Sequence, residues 1–166
     1  RDRRPSTGLA EGALYPINAL RNLALAAART ELLLLVDVDQ VPSEGLAAAL
    51  AERGQMLAEA LLSSRTALVV PAFEPVGSFP GEGLTLPHLD TWRREGAVTT
   101  FGAATYPPGH GRTDETGWLK LALGEEPTPL DPRDWPRCSY AEGYEPYLIL
   151  GRVGAPPFDE RYEGYG

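Results

Sequence analysis

The sequence predicts an α/β fold with a layered, mostly parallel sheet and flanking helices, and three observations carry that prediction. Two short apolar runs, Leu32 to Val36 and Thr66 to Val70, have the length and tight bounds of buried strands. Each follows a stretch with apolar residues at helical spacing, so the order reads helix, strand, helix, strand. The chain has 166 residues, enough for one domain that hides roughly two-thirds of its unfolded surface.

Taken in order, residues 1–14 are expected to be a disordered or truncated stub. The basic cluster Arg1, Arg3, Arg4 reads as a solvated end. Tyr15 to Arg29 is the first helix, with Pro16 suited to a first turn and Leu20, Leu23, Ala24 and Ala27 forming an apolar stripe. Glu31 to Val36 follows as a strand buried on both faces, with Asp37-Val38-Asp39 at its carboxyl end. Ser43 is placed to cap a helix from Glu44 to Leu62, whose Leu46, Leu50, Leu57 and Leu61 mark a core face despite Gly54. Thr66 to Val70 is the second strand, ended by Pro71. Beyond Phe73 regularity weakens into a Gly/Pro loop from Gly77 to Gly83 and a short helix from Leu86 to Glu95. Thr113 is placed to cap a helix from Asp114 to Leu123, Gly124 to Arg137 is Pro-rich and irregular, and Tyr147 to Leu150 is a last strand. A Pro156-Pro157 turn then leads into an acidic, aromatic tail.

Composition excludes several functions. With 15 Lys plus Arg against 23 Asp plus Glu, the net charge is -8, and no basic patch could neutralise a run of phosphates, so nucleic acid is not an expected partner. The single cysteine, Cys138, permits neither an internal disulfide framework nor a Cys-based zinc site. The longest apolar stretch, around Leu32 to Val36, falls far short of the roughly 20 residues that a membrane span requires. Position 1 is not Met and the chain stops at Gly164-Tyr165-Gly166, so both ends read as cut.

The acidic triplet carries the chemistry. Ligands of open α/β sheets sit beyond the carboxyl ends of the strands, which is where Asp37 and Asp39 fall. In an extended segment, residues two apart share a side, so both carboxylates could address one hard cation such as Mn²⁺ or Mg²⁺. The plainer reading is a strand ending in a polar turn. A third arises because Asp37-Val-Asp39-Gln-Val41 also resembles the haloacid dehalogenase phosphatase signature, in which the first Asp is a nucleophile. That family needs a later Lys and a second acidic pair on strand-following loops. The only Lys is Lys120, inside an expected helix.

Six ordered blocks together resemble glycosyltransferase family 49, the group of LARGE-type and β-1,4-glucuronyltransferase domains. They are Tyr15-Pro-Ile-Asn18-Ala-Leu-Arg21-Asn22; Asp37-Val-Asp39-Gln-Val-Pro42; Ala67-Leu-Val-Val-Pro71-Ala-Phe73-Glu74; His110-Gly-Arg-Thr113-Asp114 with Trp118; Glu145-Pro146-Tyr147; and Phe158-Asp159-Glu160-Arg161-Tyr162 with Gly164-Tyr165-Gly166. The resemblance implies a Rossmann-like GT-A fold over 15–166, a UDP-sugar donor such as UDP-glucuronate, a divalent metal, a glycan or glycoprotein acceptor, inversion at the sugar carbon, and a Golgi lumenal setting. It makes Asp37 and Asp39 metal ligands rather than bases. Arg21 and Asn22 would face the donor, Arg being suited to a phosphate or uracil carbonyl.

An inverting displacement also needs a carboxylate to take the acceptor hydroxyl's proton. Glu145 is the first candidate and Asp159 the second, although a Glu before Pro is extended and often merely solvated. His110, Thr113, Asp114 and Trp118 are assigned to a loop lining the donor or acceptor pocket. Phe158, Tyr162 and Tyr165 could stack on a sugar ring or simply pack. The family's third metal ligand is a His after the Gly-x-Gly block, and its first nucleotide-binding strand precedes the position of Tyr15. Neither has a counterpart within the 166 residues, so this segment alone is expected to be a partial domain with weak or no activity. A non-catalytic carbohydrate-binding or degenerate domain stays open beside the enzyme and phosphatase readings.

Overall fold

The computed structural model describes residues 15–78, 84–127, 129 and 131–161. These fall into two compact units, one of residues 15–29 with 155–161, the other of residues 30–154. The expected stub at 1–14, Tyr162 and Tyr165 lie outside the described residues.

In the first unit, helix α1 spans Ile17–Ala27. Its apolar stripe is not its inner face: Leu20 is exposed and Leu23 is 66% exposed. The half-buried face instead carries Asn18, Arg21, Asn22 and Leu25, spaced three and four apart as one side of a helix requires. The expectation of an apolar inner stripe fails because polar side chains here bond the backbone of residues 158–159. Asn18 Nδ2 donates to the Asp159 carbonyl at 2.8 Å. Asn22 pairs with Phe158 in both directions, donating to its carbonyl at 2.9 Å and accepting from its N–H at 2.8 Å. A single amide thus completes two backbone groups of a segment that has no strand partner to do so.

The second unit contains two sheets. Strands β1 (Leu32–Leu35), β2 (Leu68–Val70) and β5 (Tyr147–Gly151) form one in the order β1-β5-β2, and β3 (Phe73–Pro75) pairs with β4 (Val98–Thr100) in the other. All of these pairings are antiparallel. The expected parallel neighbours are therefore corrected: β1 and β2 run the same way, but β5 is inserted between them. Its register sets Leu35 opposite Leu148 and Val70 opposite Tyr147, so the amino end of β5 meets the carboxyl ends of β1 and β2. β3 and β4 were missed as strands because each has only three residues, too few to show a period of two.

Helix α2 (Leu46–Ser64) packs on β1 and β5 through Leu57 and Leu61, both buried and one turn apart. Ser43 does not cap it. Gly45 holds the cap position with φ 82°, a left-handed conformation that glycine adopts without a Cβ penalty, and the helix starts there. Helices α3 (Leu86–Arg94) and α4 (Glu115–Ala122) complete the unit. Asp114, not Thr113, caps α4, its side chain accepting from Gly117 N–H at 2.9 Å. The Pro-rich stretch contains one 3₁₀ turn, Pro132–Asp134. The core joins Leu33 and Ile149 from the sheet, Leu57 and Leu61 from α2, and Ala72, Val98, Leu119 and Tyr144. Only Leu33 of β1 is buried, so that strand is not enclosed on both faces as its sequence suggested.

Candidate active site

The edge where β1 and β2 end and β5 begins gathers four candidate residues of the second unit, Asp37, Asp39, His110 and Glu145. β1 releases the chain at Leu35, and Asp37 follows within two residues, exposed. The triplet is not extended. Val38 and Asp39 lie in a turn closed by the Gln40 N–H donating to the Asp37 carbonyl at 3.1 Å. Alternation along a strand therefore does not align the two carboxylates. Asp37 is held instead by Tyr147, the first residue of β5, whose Oη donates to its Oδ2 at 2.8 Å. Burial, that hydrogen bond, and the charges of Asp37 and Asp39 all push the Tyr147 phenol well above its ordinary range, so it is a donor at neutral pH.

Residues 101–113 form a run of tight turns that delivers His110 beside Tyr147. The Phe101 N–H donates to Ala72 at the exit of β2, and the Glu145 N–H donates to the Gly109 carbonyl at 2.8 Å. The close packing of this run needs glycine at position 143, where φ is 79° and a Cβ would meet Tyr106 Oη at 2.6 Å. The His110 ring lies 5.1 Å from Tyr147 and 5.4 Å, edge-on, from Phe101. His110 is only 7% exposed, and its Nδ1 has no hydrogen-bond partner. Burial lowers its pKa despite the opposing pull of the Glu115, Glu145 and Asp37 carboxylates, so it sits there neutral. Glu145 is exposed at the entrance to β5.

The remaining pocket-loop candidates each make contacts within the unit. Thr113 Oγ1 shares a 3.0 Å hydrogen bond with the buried Tyr144 hydroxyl, and the exposed Cys138 thiol lies 3.5 Å from the same oxygen. Asp114 is the helix cap described above, and the Trp118 ring packs 6.4 Å from Phe73. Lys120, the one lysine a phosphatase reading could use, pairs with Glu126 at 3.4 Å. Sequence reasoning missed Glu115, which is 4% exposed, pairs with Arg93 and accepts from Thr100 Oγ1 at 2.9 Å. Its signal was present: a carboxylate one position into a helix, on the same face as Trp118 and Leu119.

In the other unit, Arg21 reaches Asn18 at 3.4 Å and lies 5.1 Å over the Phe158 ring. Asn22 is occupied by Phe158 and by Glu160 Oε1 at 2.8 Å. Asp159 is held by Arg161, whose Nε and Nη2 donate to its two oxygens at 2.9 and 2.5 Å, and this pairing keeps its carboxyl below the ordinary range.

The donor set of the triplet suits a hard divalent cation. Asp37 and Asp39 are exposed carboxylates, and among the described residues neither has an ion-pair partner. Among those residues no group of three or more His, Cys, Asp or Glu side chains could hold an ion unaided. Two carboxylates match the mode in which Mg²⁺-like ions are shared with substrate phosphates and water.

The family model described as "Glycosyl-transferase for dystroglycan" matches residues 2–166. The chain is similar to the xylosyl- and glucuronyltransferase LARGE2 of Rattus norvegicus, 38% identical over 162 residues, covering 94% of this chain and 21% of that protein. It is 37% identical to LARGE2 of Homo sapiens, over 94% of this chain and 20% of that protein. With LARGE1 of Homo sapiens it shares 31% identity, over 94% of this chain and 19% of that protein. The chain thus spans about a fifth of the length of these relatives. On the match across nearly all of its residues, this chain belongs to glycosyltransferase family 49.

Proposed function

We propose that this chain is part of the catalytic domain of an inverting, metal-dependent glycosyltransferase that moves xylose or glucuronate from a UDP-sugar to a glycan acceptor. One observation carries this reading: in a chain of family 49, two exposed carboxylates without ion-pair partners among the described residues stand where β1 ends, the edge at which α/β sheets bind ligands. Asp37 and Asp39 would hold Mn²⁺ or Mg²⁺ there, which when bound would supply positive charge against a departing nucleoside diphosphate. Glu145 takes the acceptor hydroxyl's proton as that oxygen attacks the sugar carbon and the bond to the diphosphate breaks. Its exposed carboxylate at the start of β5 supports that role, whereas the Asp159 carboxylate is already spent on Arg161. In the other unit, Asn22 is assigned to the scaffold that holds Phe158. The setting is the Golgi lumen; among the described residues no helix is long and apolar enough to cross a membrane.

Binding to the folded state alone raises thermal stability, so Mn²⁺ plus UDP is expected to raise the melting temperature of the protein. Asp39→Ala is expected to abolish the rise while leaving the metal-free melting temperature nearly unchanged, since Asp39 is exposed. A rise that survives Asp39→Ala would remove the metal from the triplet.

A further inference from the structure

We infer that Tyr147 is a positioning residue for the divalent cation, acting through Asp37. The inference rests on the glycosyltransferase reading above and deepens its metal site. The Tyr147 hydroxyl makes the one side-chain hydrogen bond that Asp37 has among the described residues, to Oδ2 at 2.8 Å. A carboxylate in an exposed turn otherwise rotates freely. Fixing Oδ2 on a phenol leaves Oδ1 as the face presented to an incoming cation and lowers the ordering entropy that the ion must overcome.

Tyr147 can do this because it is itself fixed. Its backbone is paired opposite Val70 of β2, and its ring lies 5.1 Å from the buried His110 ring and 6.2 Å from Phe101. Phe101 is anchored by its N–H to the Ala72 carbonyl at 2.9 Å, and Ala72 is buried. Sheet, aromatic ring and hydroxyl thus form a chain of support from the core of the second unit to a ligand on its surface. His110 acts in that chain as a neutral ring, buried between Phe101 and Tyr147. This is the arrangement in which groups behind a metal ligand tune its affinity without touching the metal.

The test is the affinity for Mn²⁺ alone, read from the electron paramagnetic resonance signal of the free ion, in the wild-type protein, Tyr147→Phe, Phe101→Leu and Asp39→Ala. Tyr147→Phe keeps the ring and removes only the hydroxyl, and it is expected to weaken Mn²⁺ binding by about tenfold or more. The metal-free melting temperature should stay near wild type. Phe101→Leu leaves the hydroxyl in place and loosens its aim, so it should weaken binding by a smaller factor. Mn²⁺ affinity unchanged or tighter in both variants, beside a clear loss in Asp39→Ala, overturns the positioning role and leaves the metal site standing. No Mn²⁺ binding by the wild-type protein overturns the metal site itself, and the positioning role with it.

Discussion

Replacing Asn22 by Ala separates a scaffold role from a donor-binding role. The side chain makes three hydrogen bonds, two with the Phe158 backbone at 2.8 and 2.9 Å and one with Glu160 at 2.8 Å. The Glu160 bond is exposed and contributes little. The two backbone bonds are partly buried, and each such bond contributes about 1 kcal/mol net, with a further cost where the abandoned group cannot reach water. The loss therefore comes to about 2 kcal/mol, confined to the docking of residues 155–161 on α1. Since about 1.4 kcal/mol is a tenfold change, the Phe158 amide should exchange with deuterium about 30 times faster. Hydrogen exchange resolved at residues 155–161, with the sheet amides of Leu148 and Ile149 as internal reference, reads this directly. Asn22→Asp keeps the acceptor for the Phe158 N–H but turns a carboxylate toward the Phe158 carbonyl and Glu160, and should exchange as fast or faster. Unchanged exchange at Phe158 together with weakened UDP-sugar binding would refute the scaffold role and restore Asn22 to the donor site.

Two further outcomes follow from buried groups of the second unit. Glu115→Gln removes the charge that pairs with Arg93, and breaking a fully buried pair costs about 3–5 kcal/mol. Arg93 is 29% exposed and Gln can keep the Thr100 bond, so about 2 kcal/mol is expected, a fall of about 6 °C in melting temperature for a domain of this size; a fall under about 1 °C would show the pair to be idle. His110 has a folded pKa below its unfolded value because burial disfavours the charged form, so its contribution to stability is complete above about pH 6.5 and is lost as the pH falls below that. Melting temperature should therefore decline from pH 6.5 downward before the carboxylates titrate, and His110→Phe should flatten that part of the curve; an equal decline in the variant would exclude His110 as its source.

Length and hydropathy located the elements well where a period had room to repeat. The α2 stripe ending in Leu57 and Leu61 is the clearest case, and the runs around Leu33, Val69 and Ile149 gave all three strands of their sheet. Direction and adjacency were not legible, because antiparallel insertion of β5 depends on a segment more than a hundred residues downstream. A local apolar run carries no record of its partner. The α1 face was misread for a related reason: Asn18 and Asn22 look solvent-facing until the backbone of Asp159 and Phe158 is brought against them. In the candidate site, the acidic triplet, His110 and Glu145 were all legible as types. The bond from Tyr147 to Asp37 was not, since the two are 110 positions apart. Glu115 was passed over despite its place on the Trp118 and Leu119 face, because a carboxylate in a first helical turn is ordinarily explained by the helix dipole.

The central place of β5 also governs the order in which this protein can assemble. β1 and β2 emerge before β5 in synthesis, yet neither can satisfy its backbone against the other, because the strand that bridges them begins only at Tyr147. Until that strand is made, two apolar strands stand with open edges, the condition that invites mispairing. Closure of the sheet must await its last strand and spans nearly the whole unit, so its rate is governed by a long loop closure rather than by local helix formation. The event that seals the sheet also delivers Tyr147 to Asp37. A nascent chain therefore presents no ordered acidic site before its fold is complete, and the appearance of Mn²⁺ affinity during refolding would time the arrival of β5.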